Sequence, residues 1–253
     1  MSTIPTPVKT LSPLVDGIRD GHVVLLGMTK YGKTTLARHL LLQPDLFDRR
    51  KNPVCIFMDT KHDDKLLDCG YFADTLTELA YHIDQKAPRI LFRPPGTSER
   101  KPVLTEIIKM VFHYRSLRSH SNVPFAIFID ELQLYAGKQE KHEGLEMLST
   151  TGAGKDIHGV FMAQRMQDIH EQSLSQCDMK ICFYMSEQAS YLKRRGMPEL
   201  NDWLRFLKEN PYFFAFETRG KWQLHEPVPF DDGKEKEAPV NFGVDPSEDA
   251  YFP

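Results

Sequence analysis

Gly27-Met28-Thr29-Lys30-Tyr31-Gly32-Lys33-Thr34 matches G-x-x-x-x-G-K-[ST] at every fixed position, a pattern whose chemistry is the capture of a polyphosphate. It directly follows the apolar run His22-Val23-Val24-Leu25-Leu26 and opens a helical stretch from Lys33 to about Leu42. A strand, a glycine turn and a helix start in that order aim successive backbone N–H groups and the positive end of a helix dipole at one point. Gly27 and Gly32 permit backbone angles that a Cβ would penalise and let oxygens approach the chain. Lys33 brings a point charge to the β and γ phosphates, and the Thr34 hydroxyl is placed to ligate magnesium. Met28, Thr29, Lys30, Tyr31 and Thr35 complete the nucleotide-binding candidates.

About 100 residues downstream, Phe125-Ala126-Ile127-Phe128-Ile129 runs straight into Asp130-Glu131. A continuous apolar run ending in two acids reads as a buried parallel strand whose carboxyl end opens on a ligand crevice. Asp130 would hold magnesium through water, and Glu131 would polarise the water that attacks the γ phosphate. Val160-Phe161-Met162-Ala163 ends likewise in Gln164-Arg165. A side-chain amide there either contacts the γ phosphate and its attacking water or merely begins the next loop. The expected catalytic set is therefore Lys33, Glu131 and Gln164, with Thr34 and Asp130 on the metal.

Met58 leads into Asp59-Thr60-Lys61-His62-Asp63. Thr60 to Asp63 superficially fits the T-K-x-D pattern that reads guanine, but it precedes the acid-bearing strand where a GTPase would place it afterwards. Gln133 also stands where a GTPase switch would want glycine. Adenine is the expected base, and magnesium ATP the expected ligand.

The chain has 253 residues, 41% hydrophobic and 26% charged, enough to bury one substantial α/β core. No apolar run approaches the ~20 residues that a spanning helix needs. Met1 to Pro5 lacks both the basic flank and the apolar stretch of a signal peptide, so a cytoplasmic protein is expected. Cys55, Cys69, Cys177 and Cys182 form no C-x-x-C pair and read as buried thiols. The ten histidines show no metal-ligand spacing, and no structural metal is assigned. Net charge is −3, yet residues from Asp231 onward carry seven acids against two lysines, so without that net −5 the first 230 residues carry +2. Residues 1–230 read as one ATPase domain and residues 231–253 as an acidic, flexible tail.

The β-like runs are Val23–Leu26, Val54–Met58, Ile90–Phe92, Phe125–Ile129, Val160–Ala163 and Lys180–Tyr184. Helices are expected at Lys33–Leu42 and from Pro102 through Arg118, the latter with Leu104, Ile107, Ile108, Val111 and Phe112 on one stripe. Arg93 to Gly96 reads as a turn, and Tyr212–Glu217 with Lys221–His225 reads as a hairpin about Thr218-Arg219-Gly220. The alternation of strands and helices predicts a doubly wound, mainly parallel α/β sheet flanked by helices, with that C-terminal β-hairpin.

The succession GMTKYGKT, MDTKHDD, FIDE and GKDIHGVFMAQRMQDIHEQSLSQCDMKICFYM resembles the FtsK/HerA superfamily of DNA-pumping ATPases over residues 20 to 225. Its RecA-like (ASCE) P-loop fold is the architecture implied. Within that superfamily the sequence is most similar to the genome-packaging ATPases of membrane-containing icosahedral viruses. The resemblance implies that Lys33, Thr34, Asp130 and Glu131 serve nucleotide and hydrolysis, that Gln164 is the sensor, and that the protein works as a hexameric ring around DNA. In such rings a basic residue of one subunit completes its neighbour's site. Gly154-Lys155 stands where the family often has Gly-Arg, and lysine lacks the two-pronged grip of arginine. Lys155, Arg165, Arg194 and Arg195 all remain candidates for that role.

DNA contact rests on separate residues. Lys138, Lys141 and His142 follow Glu131, Lys193 leads the cluster Lys193-Arg194-Arg195, and His113 to Arg118 forms a third group. Each also reads as ordinary solvated surface. The expected activity is ATP-driven packaging of viral DNA into a preformed capsid, with capsid or portal-vertex proteins as partners and docking at a virion vertex from the host cytoplasm. A plasmid-transfer or filamentous-phage assembly ATPase, a small-molecule kinase and a catalytically dead nucleotide-gated scaffold are the alternatives.

Overall fold

The strands pair in the order β3-β4-β2-β5-β6-β1-β7-β8-β9 in a computed structural model that describes residues 5–42, 53–94, 96, 100–137 and 141–229. Their ranges are β1 His22–Leu26, β2 Val54–Met58, β3 Tyr71–Ala73, β4 Arg89–Phe92, β5 Phe125–Ile129, β6 Ile157–Ala163, β7 Cys177–Cys182, β8 Phe214–Thr218 and β9 Lys221–His225. From β3 to β7 every pairing is parallel, and β7-β8-β9 closes the sheet in antiparallel fashion. The α/β sheet anticipated from sequence is thus present, with its hairpin.

Strands β1, β2, β5 and β6 are buried along their whole length. That explains their unbroken apolar runs, because helices cover both faces of a parallel sheet. On one face, helices α1 (Ser12–Asp20) and α2 (Lys33–Leu42) bury Leu14, Ile18, Leu36, Ala37, Leu40 and Leu41 against Val23, Leu25, Phe57, Phe128 and Met162. The other face carries α3 (Leu76–Asp84), α4 (Arg100–Ser116), α5 (Glu143–Met147), α6 (Glu171–Ser175), α7 (Ala189–Arg194) and α8 (Pro198–Glu209). Helix α4 buries Leu104, Ile107, Ile108 and Val111 as its stripe predicted, with Phe112 partly covered. Helix α3 starts on a capping box: the Glu78 N–H donates to Thr75 Oγ1 while the Thr75 N–H donates to the Glu78 carboxylate.

Several boundaries shift, β6 beginning at Ile157, three residues ahead of the expected Val160, and α4 at Arg100, two ahead of Pro102. Helix α4 ends at Ser116, and Arg118 belongs to a separate 3-10 turn through His120. Strand β7 begins at Cys177 and ends at Cys182, ahead of the expected Lys180–Tyr184. Its exposed Asp178 and half-buried Lys180 interrupt the apolar signal, Lys180 pairing with Glu217 of β8 at 2.8 Å. Tyr212 and Phe213 fall outside β8, because Tyr212 sits at φ 74 in the left-handed region and cannot extend a strand. The hairpin turn is Arg219-Gly220, both at positive φ (51 and 77), the arrangement a type I′ turn requires. All four cysteines are buried free thiols. The tail from 231 onward and Lys138 lie outside the described residues.

At the amino end of β1 the buried ring of His22 stacks on that of Phe161 from the middle of β6, and His22 Nδ1 accepts the Gly159 N–H at 2.9 Å. Burial, aided by His158, pushes the His22 pKa down to about 4. The unfolded chain binds this proton near pH 6.5 and the folded chain near 4, so stability is full above pH 6.5 and declines as pH falls toward 4. The decline is on the order of 3 kcal/mol. Urea unfolding of His22→Asn, which keeps an acceptor but does not titrate, should show a shallower acid loss across that window than wild type.

Candidate functional site

Three parallel strands deliver the site. β6 lies between β1 and β5, with Leu26 opposite Ala163 and Ile129 opposite Phe161. The carboxyl ends of β1 and β5 are therefore two strand spacings apart, about 10 Å, with Gln164 emerging between them. β2 flanks β5 on its far side with Met58 opposite Ile129, which sets Asp59 level with Asp130.

The loop after β1 has the required backbone. Gly27, Lys30 and Gly32 all lie at positive φ (149, 70 and 113). A Cβ at Gly27 would stand 2.6 Å from Cβ of Phe183, so no larger residue fits there. The Gly27 N–H donates to Ala163 O at 3.2 Å and the Met28 N–H to Tyr184 O at 2.8 Å, tying the loop to the ends of β6 and β7. Met28, Thr29 and Lys30 are exposed, while Tyr31, Thr34 and Thr35 are half-buried. Lys33, the first residue of α2, is buried, and its ammonium donates to the carbonyls of Gly27 and, at 3.2 Å, Met28. Burial pushes its pKa down to about 8 against the pull of Glu131.

Asp130 and Glu131 are both nearly inaccessible, at 4% and 2% exposure. Asp130 Oδ1 makes no hydrogen bond among the described residues. Burial raises the Asp130 pKa to about 6, with Lys61 pulling the other way. A buried carboxylate oxygen without a protein partner is the donor that a hydrated magnesium ion takes. The unpartnered Asp130 oxygen fits such an ion, which Asp130 and the Thr34 hydroxyl would hold and which would neutralise phosphate charge there.

Glu131 turns the chain at φ 51, ψ 53, a left-handed conformation that stores strain in a non-glycine residue. Its carboxylate is gripped from three sides. Gln164 Nε2 lies 3.2 Å from both carboxylate oxygens, Gln133 Nε2 donates to Oε2, and Lys61 Nζ pairs with Oε1. Burial would raise the Glu131 pKa, but Lys61, Gln164 and Gln133 together hold it below the usual carboxylate range. Gln164 in turn leads into a 3-10 turn whose Met166 and Gln167 N–H groups each donate to the Glu187 carboxylate at 2.9 Å.

Lys61 was not among the residues expected here. Its ammonium also lies 3.8 Å from Asp130 Oδ2, and the carboxylates raise its pKa against the opposing effect of burial. Thr60 Oγ1 donates to Asp130 O at 3.1 Å and pairs with Tyr135 Oη at 2.8 Å, while Asp59 accepts the Asp63 N–H at 2.9 Å. The segment that superficially matched a guanine-reading motif is thus spent on holding the acid pair. The sequence did carry these residues, but the adjacency of β2 to β5 that gives them meaning is not written in any local pattern.

The basic candidates separate by position. Lys155 precedes β6, whose seven residues span about 23 Å, so it lies at the opposite sheet edge from its own loop, over the Phe112 ring. Arg165 adjoins Gln164 and makes a two-pronged contact with Asp168, 3.1 Å for each bond. Arg195 pairs with Glu171 at 2.6 Å, and Lys193 and Arg194 are exposed on α7. Lys141 is exposed just before α5, which His142 caps by accepting the Leu145 N–H at 3.2 Å. In the third group His113 and Arg118 are exposed, whereas Arg115 is engaged within the fold. It donates to Lys155 O at 2.8 Å, to Asp156 at 2.7 Å and to Ser121 O, bracing α4 against the turn before β6.

No family model and no curated protein matches the sequence. Solved structures do share its fold. The genome packaging NTPase of Sulfolobus turreted icosahedral virus 2, in complex with AMPPCP, superposes with a TM-score of 0.68 at 17% identity, covering 83% of this chain and 99% of that one. The DNA-packaging ATPase of Sulfolobus turreted icosahedral virus gives 0.66 at 17% identity, covering 84% and 100%. The pCW3 conjugation coupling protein TcpA, bound to ATPγS, gives 0.53 at 13% identity over 87% of this chain and 63% of that one. The likeness is one of fold: the chain has the P-loop NTPase fold of those proteins, a mostly parallel sheet flanked by helices.

Replacing Lys61 tests its hold on Glu131. Lys61→Met should lower kcat about 10- to 100-fold while leaving KM for ATP within a few-fold, since a charge-assisted hydrogen bond to one carboxylate is lost. Lys61→Arg should restore part of the loss. Steady-state kinetics across ATP concentration check both.

Proposed function

We propose that the protein hydrolyses ATP with magnesium and uses the reaction to move DNA, packaging a viral genome into a preformed capsid. The observation that carries the hydrolytic reading is the contact of Gln164 with Glu131 at 3.2 Å, made on the strand interposed between the phosphate loop and the acid pair. Loop N–H groups and Lys33 would hold the triphosphate, and Thr34 and Asp130 would hold magnesium, which would offset the negative charge of the phosphates. Glu131 accepts the proton of the attacking water, and Gln164, bonded to it, orients that water toward the γ phosphate. Lys61 and Gln133 fix the carboxylate in an ionised, oriented state. Water as acceptor distinguishes this arrangement from a small-molecule kinase.

Support for packaging comes from the two viral enzymes, themselves genome packaging NTPases, whose folds this chain covers almost end to end. In this reading six copies form a ring around DNA at a capsid vertex in the host cytoplasm, with residues 1–230 as the motor domain and 231–253 as an acidic extension. One of Lys155, Arg165, Arg194 and Arg195 enters a neighbour's site, and Lys155 is well placed because it lies far from its own. Lys138, Lys141 and Lys193 contact backbone phosphates, weakly per subunit and in number around the ring.

Lys33→Ala should weaken nucleotide binding about 30-fold or more, as expected for removing one partner of a buried charge contact. Glu131→Gln should keep binding and lower turnover about a hundredfold or more. Isothermal titration and phosphate release separate the two. Duplex DNA should stimulate wild-type ATPase severalfold, and native mass measurement with nucleotide should give a hexamer. Turnover indifferent to any DNA would refute the motor while leaving an ATPase.

A further inference from the structure

On the β7 and β8 side of the phosphate loop the polar groups give way to aromatic ones. β8 runs antiparallel to β7, with Cys182 opposite Ala215. The residues just before β8 therefore lie at the same sheet edge as those just after β7. That pairing brings Tyr212 and Tyr184 to the tip of β1, where Tyr184 O already accepts the Met28 N–H at 2.8 Å. A Cβ on Gly32 would stand 3.0 Å from Cδ1 of Tyr212, so the tyrosine ring lies directly against the loop. Tyr31 of the loop packs on Tyr184 with centroids 5.1 Å apart, and Lys208 Nζ sits 5.9 Å over the Tyr184 ring.

Tyr212 is unusual in two further ways. It is 50% exposed although large and apolar, and its backbone is held at φ 74. A left-handed backbone is uncommon for an aromatic residue, and here it accompanies a ring set against Gly32 rather than packed into the core. Asp130, Glu131, Gln164 and Lys61 all belong to the β5, β6 and β2 ends, so a triphosphate on the loop has its reacting end on that side. Its other end points toward the tyrosines.

We infer that Tyr212, with Tyr184 and Tyr31 beside it, is the platform on which the nucleobase stacks, and that it fixes which way the nucleotide lies across the loop. This rests on the nucleotide reading above and adds to it the base subsite. Stacking on an aromatic ring accepts any flat base, so the platform contributes affinity and orientation more than choice between bases.

Binding of ATP and of inorganic tripolyphosphate, each with magnesium, tests it by isothermal titration. Tyr212→Asn removes the ring while tolerating the left-handed backbone, and should weaken ATP about 5- to 100-fold with tripolyphosphate unchanged. Tyr212→Phe keeps the ring and should bind both ligands as wild type does. Equal weakening of both ligands by Tyr212→Asn would mean that the residue only props the loop, and an unchanged ATP affinity would mean that no base rests there. Either result overturns the platform. Wild-type protein that bound neither ligand would instead overturn the nucleotide reading itself.

Discussion

Parallel pairing of β1, β6 and β5 is the constraint on which the remainder depends. It fixes three chain segments, separated by more than 130 residues between Gly27 and Gln164, so that they leave the sheet side by side. Interposing β6 places an amide between the phosphate loop and the acids, where adjacent pairing of β1 with β5 would leave no such group. Full burial of these strands under helices on both faces gives the edge its rigidity, and rigidity is what preorganised charge stabilisation requires.

The electrostatics follow from that geometry. Two carboxylates and two ammonium groups share a partly dry pocket, and burial drives them in different directions. Asp130 rises to about 6 and Lys33 falls to about 8, whereas Glu131 is held low by Lys61 and two amides. Two neighbouring acids thus acquire different characters, one with a raised pKa and an oxygen that makes no hydrogen bond among the described residues, the other held ionised and oriented by its three partners. The left-handed backbone at Glu131 belongs to the same arrangement, since strain is tolerated where surrounding contacts dictate the conformation. On the opposite flank, tyrosines replace charges.

The sequence revealed what is local. The phosphate loop, the strand ending in Asp130-Glu131 and the turn at Arg219-Gly220 each carry their own signature of glycines, apolar runs or acids, and each lies where expected. Helices α5, α6 and α7 escaped notice because five or six residues are too few to show a periodic stripe, whereas α1, α3 and α8 do carry apolar stripes, Leu200, Trp203 and Leu207 in the last, and were missed nonetheless. Lys61 and Tyr212 escaped for a different reason. Their roles depend on which strands are neighbours, β2 beside β5 and β8 beside β7, and strand order is a property of the whole sheet. Arg115 looked like one of several surface cations until the turn before β6 came to rest against it.

Co-crystallisation with manganese and a non-hydrolysable ATP analogue, with anomalous scattering used to locate the metal, addresses the arrangement most directly. One manganese site should lie between the Thr34 hydroxyl and the Asp130 side chain, with the γ phosphate facing Glu131 and Gln164 and the β phosphate over the loop N–H groups. Phosphates bound away from Lys33, or a metal remote from Asp130, would contradict it.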